Sequence, residues 1–217
     1  MALTVITGAN RGIGKALLDG YTARNADVRG TARDPAATAL LPLDVTDPVS
    51  LAGLGATLQG QPIELLICNA GVFRDKGQKL TDGFAPDLWA QMFATNVTGV
   101  FLTIQTLLPN LRATPGAKIA IISSQMASDE RASGGSYIYR ASKAAALNLG
   151  RNLAVDLKPE GIAVGIYHPG WVRTDMGGAG AAIDPDEAAA GLIQRFARLG
   201  PGTTGCFETW DGTADPF

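Results

Sequence analysis

At 217 residues, the chain is long enough to bury a sizeable α/β core and suits one domain spanning residues 1–217. Hydrophobic residues make up 46% of it and charged residues 18%, a balance that excludes a disordered, charge-rich polypeptide. The net charge of -2 gives no electrostatic basis for nucleic acid or an anionic membrane as a partner.

The chain opens directly into an apolar strand over 2–7. No basic segment with an apolar stretch precedes it, so no signal peptide is expected and the cytoplasm is the expected compartment. A glycine-rich turn leads into a helix over 12–24, followed by strands over 27–32 and 39–43, a helix over 48–58 and a strand over 63–68. A long helix over 86–112, a strand over 118–123, a helix over 136–158, a strand over 162–167, a helix over 184–199 and a strand over 204–208 complete the order. No apolar run approaches the roughly 18 residues of a membrane span. Alternation of this kind predicts a doubly wound parallel sheet of about seven strands with helices on both faces. The strands read as near-continuous apolar runs, as strands buried on both sides do. No internal repeat or interdomain linker interrupts the pattern. One connection stands out: residues 33–38, between the second and third strands, are too few for a crossover helix. A bare loop is expected there, leaving one sheet face thinly covered.

The turn after the first strand reads Thr7-Gly8-Ala9-Asn10-Arg11-Gly12-Ile13-Gly14. Glycines at a strand–helix junction let a pyrophosphate approach the backbone, and the helix N-terminus offers free N–H groups to it. Its spacing, GxxxGxG, is a variant of the commoner GxGxxG. Tyr139 and Lys143 lie four apart in a helical stretch and therefore share a face. An ammonium beside a phenol favours the phenolate, lowering a pKa that is ordinarily about 10. Such a tyrosine can serve as general acid or base near neutral pH. Cys68, ending an apolar strand, reads as a buried inert thiol. With one histidine and no CxxC, no metal site is expected. His168, at a strand end before Pro169, reads as structural.

Seven motifs then fall in order: TGANRGIG at 7–14, LDV at 43–45, CNAG at 68–71, TNVTG at 95–99, ISS at 122–124, YRASK at 139–143 and HPGWVRTDM at 168–176. Together they closely resemble the short-chain dehydrogenase/reductase family over almost the whole chain. The compact length and the PGWVRTDMGG segment look most like its small C-factor-like and sniffer-like carbonyl reductases.

The resemblance implies a Rossmann-type domain that moves a hydride between a nicotinamide and a ketone, aldehyde or secondary alcohol. Tyr139 would transfer the proton, and Lys143 would lower its pKa and hold the nicotinamide ribose. Ser124 would hydrogen-bond the carbonyl and stabilise developing negative charge. It stands fifteen residues before Tyr139 rather than the usual thirteen, so Ser123, Ser128 and Ser136 stay open as alternatives. Asn96 would hold a water linking Lys143 to solvent. Gly8, Asn10, Arg11, Gly12, Ile13 and Gly14 would cradle the pyrophosphate. Asp44 and Val45 would meet the adenine, and Asn69, Ala70 and Gly71 would line the cofactor after the fourth strand. Pro169, Gly170, Val172 and Thr174 would flank the nicotinamide. NADP(H) is expected over NAD(H): neutral Ala32 stands where an NAD-selecting acid would, and Arg33 and Arg11 can both reach a 2′-phosphate. Asp34 argues against this, since it would repel that phosphate. A short, small-residue lid over 175–183 and apolar walls from Phe73, Met126, Tyr137 and Trp171 are expected on the substrate side. The resemblance also implies a homo-oligomer joined through the helices over 86–112 and 136–158. The alternative reading is a cofactor-binding signalling or sensor protein with little turnover. A dehydratase or epimerase of the extended branch is disfavoured, because the chain has no room for an added substrate domain.

Overall fold

The computed structural model describes residues 3–35 and 39–217. Seven parallel strands form one sheet in the order β3-β2-β1-β4-β5-β6-β7. They are β1 (Leu3–Ile6), β2 (Val28–Ala32), β3 (Leu41–Pro42), β4 (Ile63–Cys68), β5 (Lys118–Ile122), β6 (Ala163–His168) and β7 (Phe207–Thr209). The helices are α1 (Gly12–Thr22), α2 (Pro48–Thr57), α3 (Pro86–Phe93), α4 (Gly99–Arg112), α5 (Tyr137–Leu157) and α6 (Pro185–Arg198).

Strand side chains alternate between two cores. Leu3 and Val5 of β1, Ile119 and Ile121 of β5, and Val164 of β6 pack with Leu54 of α2, Leu107 of α4 and Leu157 of α5. Their neighbours Ile6, Ala120, Ile122 and Tyr167 pack on the other face with Leu17 of α1 and Phe196 of α6. Both faces are therefore dry, and this burial is what the unbroken apolar strands serve. The switch in strand order falls between β1 and β4, and in open α/β sheets the crevice beyond the strands' C-terminal ends at such a switch is where ligands bind.

Several boundaries differ from the sequence pattern. The third strand pairs only through Leu41 and Pro42, not across 39–43. It lies at the sheet edge, where a proline is tolerated, and its last bond to β2 runs from the Leu43 N–H to the Ala32 carbonyl at 2.8 Å. The last strand begins at Phe207 rather than 204, because the turn over 200–205 places Gly205 at φ 84. The connector is free of helix at residues 33–35 and at Ala39 and Leu40, and residues 36–38 of that expected loop lie outside the described residues.

The expected helix over 86–112 is not uniform. Residues Ala94–Thr98 form a π-helical turn between α3 and α4. The whole run Pro86–Arg112 is long and apolar enough for a membrane span by length and composition, contrary to the sequence reading. Here Val100, Ile104, Leu107 and Leu111 place α4 against the sheet as a core helix.

Candidate active site

At the first strand–helix junction, Gly8 has φ +67, a left-handed conformation that glycine adopts without strain. A Cβ at Gly14 would lie 2.2 Å from the Gly8 carbonyl oxygen and 2.4 Å from Asn69 Nδ2, so the turn closes only around a bare backbone. The Arg11 side chain makes no cap to α1, and the first turn of that helix holds no acidic residue. Its leading N–H groups face the crevice with the positive end of the helix dipole, which is what an anionic diphosphate requires. Asn69 Nδ2 donates to the carbonyls of Thr7 and Gly8, each at 3.0 Å, and the N–H groups of Asn69 and Ala70 donate to Thr7 Oγ1. The Asn69 amide nitrogen thus braces the turn.

The two arginines of the turn and second strand have different surroundings. Arg11 pairs with Asp175 at 2.8 Å, spanning from the glycine turn to the loop after β6. Arg33 is exposed at the end of β2. Asp44 Oδ1 accepts from the N–H and hydroxyl of Thr46 at 2.8 and 2.7 Å. Burial acts to raise the Asp44 carboxyl, but these bonds and the Arg33 guanidinium outweigh it and hold the group below its ordinary range. Val45 is buried against Gly99 at the start of α4.

The Tyr139–Lys143 pair lies at the buried end of the crevice. Both side chains are almost wholly enclosed, and Lys143 Nζ stands 5.7 Å from the centre of the Tyr139 ring. Lys143 Nζ donates to the Ile122 carbonyl at 2.9 Å. Asn96 is presented by the π turn, where one extra residue per turn displaces it toward the loop after β4. Its amide bonds both ways with the Val72 backbone, at 2.8 and 2.9 Å, and donates to Ser142 Oγ at 3.0 Å. A Cβ at Gly71 would lie 3.4 Å from both Asn96 Oδ1 and Lys143 Nζ, so these two groups meet over Gly71.

Of the four serines, Ser124 faces the phenol closely enough to favour its ionised form through a hydrogen bond. Its Oγ also accepts from the Met126 N–H at 3.1 Å. Ser123 Oγ donates to the Lys143 carbonyl at 3.1 Å, and Ser128 Oγ to the Phe217 carbonyl at 3.3 Å. Ser136 precedes α5 at φ 45.

Burial dominates the electrostatics here. It pushes the Tyr139 phenol up to about 12, against the pull of Ser124 and with the help of the Asp75 carboxylate. It lowers the Lys143 ammonium to about 8. A lysine one turn away was expected to lower the phenol; desolvation of both groups reverses the net direction. Burial likewise holds His168 neutral, down to about 4, and its Nδ1 meets no partner among the described residues. Cys68, a buried free thiol, is pushed up to about 12 by the same cause.

The apolar surround of the phenol comes from Phe73, whose ring stacks on Tyr139 at 4.1 Å, and from Met92, Ile138 and Met126. Met176 Sδ lies 4.0 Å from the phenol oxygen. Tyr137 sits edge-on to Phe84, and Trp171 is half exposed with Nε1 donating to the Gly177 carbonyl at 2.9 Å. Thr174 Oγ1 accepts from the Gly177 N–H at 3.1 Å, and Val172 bridges to Ile183, which shapes the loop beyond Pro169 and Gly170. Two parts of the site escaped sequence reasoning: the π turn and Asp75. No local signal marks either, since both are defined by contacts with distant segments. Among the described residues, no cluster of metal-ligating side chains occurs.

The short chain dehydrogenase family model matches residues 2–182. The chain is 34% identical over 228 aligned positions to the 1-hydroxy-2-glutathionyl-2-methyl-3-butene dehydrogenase of Rhodococcus sp. (strain AD45), with 98% of each chain covered. It is 36% identical to the C-signal protein of Myxococcus xanthus, over 72% of this chain and 93% of that one. Among solved structures, the NADPH-bound carbonyl reductase from chicken fatty liver superposes with a TM-score of 0.92 at 29% identity, covering both chains fully. The chain therefore belongs to the short-chain dehydrogenase/reductase family, among its carbonyl-reductase-like members, and is an oxidoreductase.

Proposed function

We propose that this oxidoreductase reduces a ketone or aldehyde with NADPH and uses Tyr139 as the proton donor. The observation that carries this is the convergence of Tyr139, Lys143, Asn96 and Ser124 at the buried end of a crevice whose other wall is the uncapped start of α1. When bound, a nicotinamide cofactor supplies the hydride, and the protein supplies orientation and electrostatics. Ser124 donates a hydrogen bond to the substrate oxygen as negative charge develops there. Tyr139 then gives that oxygen its phenolic proton. A phenol held up to about 12 is protonated at neutral pH, which is the state a donor needs. Lys143 holds the nicotinamide ribose and, while protonated, stabilises the phenolate left behind. Asn96 fixes the Val72 backbone and Ser142, keeping Lys143 in place and aligning a relay to solvent.

For the cofactor itself, the turn from Gly8 through Asn10, Arg11, Gly12, Ile13 and Gly14 fits a diphosphate, because Gly8 and Gly12 hold left-handed φ values at the start of a helix that no side chain caps. Arg33 binds the 2′-phosphate, and Arg11 joins it after exchanging Asp175 for the ligand. Asp44, Val45, Ala70 and Gly71 border the adenosine half, and Pro169, Gly170, Val172 and Thr174 border the nicotinamide. The NADPH bound by the chicken neighbour and the NADP bound by the Burkholderia multivorans neighbour support this preference. Two copies pair through exposed Phe101 of α4 and Val155 of α5, an arrangement that sedimentation of the purified protein tests. The activity is tested by following NADPH and NADH consumption over a panel of ketones and aldehydes. Carbonyl-dependent oxidation of NADPH, faster than of NADH, is the expected result. No consumption across the panel contradicts the reading.

A further inference from the structure

Asp75 follows β4 in the same loop as Phe73 and has no part in the chemistry above. Its neighbours Arg74 and Lys76 are exposed, yet Asp75 itself is completely buried. Its Oδ2 accepts from the backbone N–H of Ile138 at 2.8 Å and of Tyr139 at 3.3 Å. Its Oδ1 meets no hydrogen-bond partner among the described residues.

The two N–H groups belong to the first turn of α5. A helix leaves its leading N–H groups without internal partners, and a serine before the first turn commonly satisfies one of them. Ser136 occupies that place but makes no side-chain cap. The cap comes instead from a carboxylate 63 and 64 residues earlier in the chain. A negative charge at the N-terminus of a 21-residue helix is well placed. The same loop lays Phe73 flat on the Tyr139 ring, with the planes 19° apart. One loop thus grips Tyr139 twice, by its ring and by its backbone.

Resting on the assignment of Tyr139 as proton donor, we propose that Asp75 is a positioning residue. Its buried carboxylate caps α5, seats the phenol against Phe73 and sets a negative charge beside the donor. The groups facing Tyr139 are Lys143 one turn along α5, Asp75 and Phe73 from the loop after β4, Ser124 and Met126 from the loop after β5, and Met176 from the loop after β6. Lys143 and Asp75 are the charged members. Burial does most to keep the phenol protonated, and the Asp75 carboxylate adds to it in the same direction.

Two substitutions separate the cap from the charge. Asp75→Asn keeps an amide oxygen for the Ile138 N–H but removes the charge; Asp75→Ala removes both. Turnover with NADPH, NADPH affinity and thermal unfolding are measured on both variants. NMR titration of ring-labelled tyrosine follows the phenol, with Tyr139→Phe assigning its signal. Asp75→Ala is expected to lower kcat by roughly tenfold or more through misplacement of the donor, with NADPH affinity little changed, and Asp75→Asn to restore most of that loss. The Tyr139 signal is expected to titrate at lower pH in Asp75→Asn than in the parent, by about half a unit or more. Parental kcat in Asp75→Ala, or an unmoved Tyr139 titration in Asp75→Asn, overturns the proposal. Should Asp75→Ala fail to fold, Asp75→Asn carries the test alone. Turnover surviving in Tyr139→Phe instead refutes the donor assignment, and the titration still reports the action of Asp75 on the phenol.

Discussion

Tyr139, Lys143, Asn96 and Ser124, at the β4–β5 end of the cleft, are all buried, whereas Arg11 and Arg33, at the β1–β2 end, are exposed. The buried groups are held by named bonds to Ile122, Val72 and Met126. Arg11 is held by one exposed ion pair, with Asp175, and Arg33 by solvent and the field of Asp44. Burial moves the pKa values of Tyr139 and Lys143 at the first end, while charges at the second are more strongly screened by water and salt. The proposed function places chemistry at the buried end and cofactor selection at the exposed one. Substitutions should have large effects at the first and graded effects at the second.

The strongest way to break this contrast is Lys143→Ala. Loss of both ribose contact and phenolate stabilisation should lower kcat/KM by roughly a thousandfold. In the parent, the ammonium held down to about 8 loses its charge as pH rises through that value. Turnover should fall above it, and the phenol, up at about 12, stays protonated throughout. A pH–rate profile flat from 7 to 10 would contradict the assignment.

His168 probes the same buried end through stability. Its folded pKa is depressed to about 4 from 6.5. Between those values the unfolded chain binds the extra proton, so stability is full above pH 6.5 and is lost as pH falls toward 4. The loss is on the order of 3 kcal/mol. Denaturant unfolding of His168→Gln should show a shallower acid decline than the parent; equal declines would sink this explanation.

Gly14→Ala tests the turn where the two ends join. A Cβ there meets the Gly8 carbonyl at 2.2 Å, and backbone must shift. Destabilisation of about 2 kcal/mol and weaker NADPH binding are expected. Calorimetry showing parental values for both would mean that the turn is looser than described.

The smallest effect is expected at the exposed rim. Arg33→Ala should reduce the preference for NADPH over NADH by about tenfold or less, through loss of a charge-assisted contact that water screens. Isothermal titration of both cofactors reads the ratio. An unchanged ratio would remove Arg33 from cofactor selection.

The unequal legibility of the molecule has the same physical origin. Sheet, helices and the spacing of Tyr139 and Lys143 follow from periodicities only a few residues long, and those were readable. The third strand is shorter than its apolar run, pairing with β2 only at Leu41 and Pro42 on the sheet edge. The π turn at 94–98 was hidden, since its cause is the docking of Asn96 on Val72 and Ser142. Asp75 was invisible for the same reason, its partners lying 63 and 64 residues away. The direction of the Tyr139 shift was missed because the helix face reveals the lysine but not the burial.

The central claim is that Tyr139 donates the proton in a carbonyl reduction. It is tested most directly by Tyr139→Phe, assayed beside the parent on the same carbonyl substrate with NADPH titrated into each. Loss of the hydroxyl alone should lower kcat by roughly a hundred- to ten-thousand-fold while NADPH affinity stays close to the parent's. Turnover near the parental rate in the phenylalanine variant would contradict the account.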